Sequence, residues 1–381
     1  MSEYQYYEFT AVDRPLTTRE QSELRSLSAR ADITANSFLN TYEWGNFKGD
    51  PRKLMERYFD AHLYLTNWGT RELMLRLPKR VLDPAVVADY CAGDRASAWT
   101  NGKHLIICLN REDEDGTDEW DIGGEGLLAS IIGVRASLAA GDLRLLYLGW
   151  LRCVLSPEVS DDEPEPSVPA GLATLDAPLT AVAEFLCIDR DLITAAATGS
   201  PSASAAEPTS AQLRTWVTRL PAREKDTILS DLITSDDTHL RAQLLRRYRD
   251  AHAMQPSTTT APRAAGELRA SADELRAERE GRDAQERERD RARRERSAAT
   301  ARQRHLDALA VDQRAAWQRI DGFIATKKPR EYDAAVQLLA DLRDLTERDT
   351  AAFRQRLTEL RAAHSRKPSL LERLDLAGLD V

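Results

Sequence analysis

The chain predicts an α+β amino-terminal domain followed by a mostly α-helical remainder, and three observations carry that reading. Apolar residues alternate over 61–77 and again over 96–109, each time around a short Gly-containing turn. Beyond residue 125 the apolar period lengthens to that of helices. Residues 263–299 are almost wholly Arg, Glu, Asp and Ala, the composition of a long solvated helix. Period two marks half-buried strands and period 3.6 marks amphipathic helices.

Residues 4–11 form an aromatic-rich strand, and Asp13-Arg14-Pro15-Leu16 a turn. Thr17 followed by Glu20 is a capping-box spacing that opens a helix reaching about residue 30. A strand is placed at 37–44. Asp50-Pro51 starts the next helix, an N-cap acceptor before Pro at the first helical position. Then Ala61, Leu63 and Leu65 alternate with His62 and Tyr64, and Leu73, Leu75 and Leu77 with Glu72 and Arg76. This is a β-hairpin with one aliphatic face. Asp83-Pro84 opens a short helix. Asn101-Gly102 is the strongest two-residue turn signal and closes a second hairpin. Helices follow at 125–140 and 142–155, with Gly141 as a C-cap.

Residues 156–169 hold five acids and four prolines and read as a linker. The organisation is therefore a head at 1–156, an acidic Pro-rich linker at 157–170 and a helical domain at 171–254. A second linker follows at 255–262, then the long charged helix at 263–300 and a helical hairpin or bundle at 301–381. Leu268 and Leu275 stand a heptad apart, but Arg282 and Arg289 take the next equivalent positions. The helix is thus at most a weak coiled coil, offering a route to a homo-oligomer. Acid-before-base pairs such as Glu278 with Arg282 and Asp283 with Arg287 support it as a single helix.

Net charge is −9 and its excess lies in residues 1–170, which disfavours a dedicated nucleic-acid-binding domain. The abundance of Ala and of Arg over Lys suggests a bacterial source. Four widely spaced cysteines without a C-x-x-C are expected as free thiols in a reducing cytoplasm. No signal peptide and no apolar run long enough to span a bilayer is read, so no membrane association is expected.

Two groups of residues are candidates for function. His62, Tyr64, Glu72 and Arg76 share a sheet face by alternation, an arrangement that suits acid–base chemistry or an ordinary polar face. Trp44, Lys48, Asp50, Asn67, Trp68 and Arg71 fall at loop positions, where aromatics beside cations make partner or ligand sites. The acidic stretch 112–125 fails the EF-hand template, with Asp118 at the glycine position and Gly124 at the glutamate position. Gly123-Gly124-x-Gly126 lacks the Lys-Ser/Thr of a P-loop. Arg241, Arg246, Arg247 and Arg249 with Tyr248 make a basic helix among acids.

Residues 8–17 (E-F-T-A-V-D-R-P-L-T), 44–51 (W-G-N-F-K-G-D-P), 54–64 (L-M-E-R-Y-F-D-A-H-L-Y) and 67–71 (N-W-G-T-R) resemble a family of uncharacterised bacterial proteins. That resemblance transfers no catalytic residues. Residues 332–343 and 364–374 are similar to the helical tail of bacterial SWIM zinc-finger proteins, in the patterns Y-D-x-A-V-x-L-L-x-D-L-R and H-x-R-K-P-S-L-L-E-R-L. The C-x-C and C-x-H of the zinc motif are missing here, so the resemblance implies a docking module and no zinc. The function expected is a non-enzymatic interaction, scaffold or adaptor protein, with its partner encoded nearby. A nucleic-acid-associated accessory factor and an enzyme around His62 and Arg76 stand as alternatives. No cofactor or metal is expected.

Overall fold

The computed structural model describes residues 4–112, 123–201, 208–234, 239–252, 262–345 and 350–379. The chain divides into two units, Met1–Arg279 and Glu280–Val381.

The first unit is built on a seven-stranded antiparallel sheet: β1 (Gln5–Thr10), β2 (Asp32–Ile33), β3 (Ser37–Tyr42), β4 (Ala61–Thr66), β5 (Arg71–Pro78), β6 (Ala96–Asn101) and β7 (His104–Arg111). Their spatial order is β2-β3-β1-β4-β5-β7-β6. Local chemistry sets the turns. Asn101 pairs directly with His104 across Gly102, whose φ of +55° is the left-handed conformation that such a turn requires. Around the sheet lie α1 (Thr18–Leu27) and α2 (Pro51–Arg57). Thr17 and Glu20 form the expected capping box, and Asp50 caps α2 by accepting from the amides of Arg52 and Lys53.

Both faces of the sheet are covered. The aliphatic face presents Leu63, Leu65, Leu73, Leu75, Ile107 and Leu109. It packs on α3 (Pro84–Ala88), α4 (Leu127–Ile131), α5 (Gly133–Ala139), α6 (Arg144–Val154), α7 (Ala177–Phe185) and α8 (Arg190–Ala197). Helix α6 is buried along nearly its whole length, and at Gly149 a Cβ would stand 2.6 Å from Leu109 Cδ2. The opposite face carries Tyr7, Phe9, His62, Met74, Ile106 and Cys108. Leu24 of α1, Leu54 and Met55 of α2, and Phe59 cover it. The face expected to be polar is therefore largely a second core.

A buried ionic chain crosses the end of that core. Arg76 donates from Nη2 and Nε to Asp60 Oδ1 at 2.8 and 3.1 Å, and from Nη1 to the carbonyls of Met55 and Glu56. Asp60 Oδ2 accepts the amides of Val12 and Asp13. Arg135 bridges the Arg76 carbonyl and Asp13, whose other oxygen meets His239. Burial raises the Asp13 carboxyl, but the bonds from His239 and Arg135 outweigh it and hold the group well below the usual carboxylate range.

Residues 157–170, expected as a linker, lie inside the first unit. Glu165 is 7% exposed, bonds to Tyr147 and receives Arg263 Nε at 2.8 Å. Its amide donates to the Arg263 carbonyl, and Ala265 donates to Glu163. These contacts receive the start of α12 (Ala265–Val311), which adds Ala265, Leu268 and Ala272 to the core. Arg276 and Arg279 then pair with Asp189 and Asp191 at the start of α8. Leu268 and Leu275, expected to begin a coiled-coil seam, are thus occupied within the unit. The helices α9 (Ser210–Arg219), α10 (Ala222–Thr234) and α11 (Leu240–His252) are lightly packed, with Trp216 set edge-on against Tyr248.

The second unit holds residues 280–311 of α12 together with α13 (Gln313–Ala325), α14 (Pro329–Leu345), α15 (Thr350–Ala363) and α16 (Pro368–Leu376). Its core holds Trp317, Ile320, Tyr332, Leu339, Phe353 and Leu370. Lys327, at φ +56°, and Pro329 make the break expected between α13 and α14. Asp341 is buried and accepts from Arg302 and from His305 at 2.7 Å. Among the described residues no helix is long and apolar enough to cross a membrane.

A candidate interaction site at one end of the sheet

Strand β1 lies between β3 and β4, and its register fixes what gathers at one end. Gln5 pairs with Tyr42 of β3 on one side and Thr66 of β4 on the other. The chain leaving β3 and the turn leaving β4 therefore emerge together. With adjacent strands about 4.8 Å apart, the two exits are separated by roughly 10 Å. Trp44 stands two residues beyond Tyr42 and is 67% exposed. Trp68 stands two residues beyond Thr66 and is 38% exposed. The Arg30 guanidinium lies 4.9 Å from the Trp44 ring centre, a cation–π contact.

Gln5 ties the site together. Its buried amide donates to the Gly45 carbonyl at 3.0 Å and to Asn46 Oδ1 at 3.2 Å, anchoring the Trp44 loop. Its Oε1 accepts from the Tyr7 and Tyr64 hydroxyls at 2.8 and 3.3 Å. Asn67 fixes the Trp68 turn, its Oδ1 accepting the Tyr4 amide and its own amide donating to the Tyr4 carbonyl.

Of the expected partner-binding residues, Trp44, Trp68 and Lys48 are exposed at this end. Asp50 and Asn67 serve the backbone of α2 and of the turn. Arg71 does not join them. It opens β5 on the aliphatic face, is 5% exposed, and donates to the Phe185 carbonyl at 2.9 Å and to Cys187 Sγ at 3.2 Å. Alternation turned it inward, where it satisfies carbonyls at the end of α7.

Beside the tryptophans a pocket of ≈ 220 Å³ opens onto the second face, lined by Tyr7, Tyr64, Glu72, Asn110 and Glu112. Tyr64 and Asn110 sit directly opposite Glu72 on the neighbouring strands, and the Tyr7 and Tyr64 rings are 4.5 Å apart. Burial raises the Glu72 carboxyl, opposed by the Cys108 thiol, which donates to it at 3.4 Å, and by Arg52. Burial likewise raises the Tyr7 and Tyr64 phenols. Gln5, Tyr7 and Asn110 were not singled out from the sequence, and Glu112 only as the first residue of the acidic stretch. The signal available was the aromatic alternation of β1, but its place between β3 and β4 depends on pairings with strands remote in the sequence.

His62, Tyr64, Glu72 and Arg76 do share one face, as alternation predicts, but they do not converge on a catalytic centre. His62 is fully buried, and its ring stacks on Phe9 at 3.9 Å. Nδ1 faces the Glu8 carbonyl at 2.9 Å and so carries the proton, which leaves Nε2 as an acceptor. Among the described residues Nε2 has no hydrogen-bond partner, and Glu72 Oε1 lies 3.8 Å from it. Burial lowers the imidazole to about 3, so the ring is neutral and this approach is not an ion pair. Arg76 is consumed by Asp60.

The basic helix disperses its charge. Arg246 donates to the Val81 carbonyl and Arg247 pairs with Glu224, while the Arg249 side chain lies outside the described residues. Residues 113–122 of the acidic stretch also lie outside them. All four cysteines are free, and burial pushes the Cys91 and Cys153 thiols up to about 11 and about 12. Among the described residues no group of three or more His, Cys, Asp or Glu could hold a metal ion. Compared with protein-family models, curated proteins and solved structures, the chain matches none.

Proposed function

We propose that this chain is a non-enzymatic interaction protein, an adaptor that engages a protein partner through the sheet end bearing Trp44 and Trp68. The observation that supports it is the pair of exposed indoles on a braced scaffold. Tryptophan is rarely left two-thirds in water, and it is enriched among residues that dominate binding energy. Gln5 and Asn67 fix the loops that carry the rings, which lowers the ordering cost of association. The chain's net charge of −9 favours a partner with a basic segment over nucleic acid.

The test is affinity capture from the source cell by the full chain and by the W44A/W68A double variant, followed by titration of the purified captured protein. Wild type should bind it saturably, and the double variant should lose at least 2 kcal/mol, about thirtyfold, while keeping its melting temperature. Equal affinity of the two proteins would refute the assignment.

A further inference from the structure

Two acceptors face each other behind the pocket wall with no donor between them. The His62 Nε2 is fully buried, has no hydrogen-bond partner among the described residues, and lies 3.8 Å from Glu72 Oε1. Two buried acceptors so opposed repel unless a positive charge or a proton is supplied. The pocket in front of Glu72 is formed to receive one. Its lining includes the Tyr7 and Tyr64 rings, Asn110 and Glu112, and Arg95 Nη1 donates to Asn110 Oδ1 and to one oxygen of the Glu112 carboxylate, each at 3.2 Å, leaving the other oxygen as an acceptor. A ring face beside a carboxylate is suited to an organic cation with N–H donors. At ≈ 220 Å³, against about 30 Å³ for one water in the liquid, it admits an aminoalkyl group.

We propose that the Tyr7–Tyr64–Glu72–Glu112 pocket is a binding site for a primary ammonium group. Resting on the interaction reading above, we take its source to be a lysine side chain of the protein partner. The ammonium donates to the Glu72 and Glu112 carboxylates while its alkyl stem lies along the tyrosine rings. Without a ligand, a proton on Glu72 relieves the opposed acceptors, and burial favours that form. Ammonium binding therefore displaces a proton. Below the raised Glu72 value the apparent affinity climbs by about tenfold per pH unit, and above it the affinity levels off. The groups facing Glu72 are Tyr64 and His62 from β4, Cys108 and Glu112 from β7 and its exit, Tyr7 from β1 and Arg52 from α2, and Arg95, just before β6, pairs with Glu112. His62 stays neutral down to about 3, and the burial-raised Tyr and Cys groups do not ionise near neutral pH.

The experiment is an NMR titration of the full chain with n-butylammonium chloride at a series of pH values from about 4 to about 8, with sodium chloride at equal ionic strength as reference. Saturable shifts should appear in the rings of Tyr7 and Tyr64, stronger at the higher pH. E72Q should weaken binding at least about tenfold, and E112Q, at an exposed position, several-fold. Tetramethylammonium, which has no N–H, should bind more weakly than n-butylammonium. If E72Q does not fold, E112Q and the pH dependence decide. Shifts reproduced by sodium chloride, affinity independent of pH, or unchanged binding in E72Q or E112Q would each overturn the site. W44A/W68A should keep n-butylammonium binding, so failure of the pocket and failure of the tryptophan surface are distinguishable.

Discussion

At Arg76 a charged side chain is held where water cannot reach it, and the reason is Asp60, 1% exposed beside it. Removing one member of such a pair leaves the other charged and buried, which costs about 3–5 kcal/mol. Arg76→Met should destabilise the first unit by that amount in denaturant melts, and adding Asp60→Asn should recover part of it. A non-additive recovery confirms that the two act as a pair; two independent losses would show that they do not. His62 yields a second expectation. Unfolded, the imidazole takes up a proton below about 6.5; folded, it does so only near about 3. Its contribution is present in full above 6.5 and is lost as pH falls toward 3, by about 1.4 kcal/mol per pH unit. Melts of His62→Phe should lack that part of the acid slope. Alternation in the sequence placed both residues on the correct face. The cover over that face was not legible, because Leu24, Leu54, Met55 and Phe59 come from other elements and no local pattern announces where a helix will dock.

Elements with strong local chemistry were the most readable. The Thr17 capping box, the Asp50-Pro51 start and the Asn101-Gly102 turn each satisfy backbone groups within a few residues, so the sequence alone carries them. The two-residue strand β2 and the break between α4 and α5 answer to tertiary packing and carry no such signal. Helix α12 was legible as a charged helix, but the use of Leu268 was not. A heptad pair looks the same whether it meets another copy or its own chain. Gly281 lies within the exposed part of α12, and a Cβ there meets nothing. Gly281→Ala should therefore gain about 0.5–1 kcal/mol of local helix stability, read as slower amide exchange around residue 281. Unchanged exchange would mean that this stretch does not behave as an ordinary solvated helix.

Across the whole chain, the limit of sequence reading is the strand order. Tyr42 and Thr66 meet at Gln5 only because β1 pairs with both β3 and β4, and that pairing assembles Trp44, Trp68 and the Glu72 pocket at one end. The two tryptophans could be named in advance; their neighbourhood could not. The prolines and acids of residues 157–170 likewise resemble a spacer until Arg263 is found on Glu165. In the proposed role, contact with a protein partner falls on the sheet end that bears Trp44 and Trp68. Hydrogen exchange on the full chain, alone and saturated with its captured protein partner, tests that most directly. Protection should concentrate in residues 43–50 and 66–71. Protection confined to α9–α11 or to the second unit, with the sheet end unchanged, would contradict it.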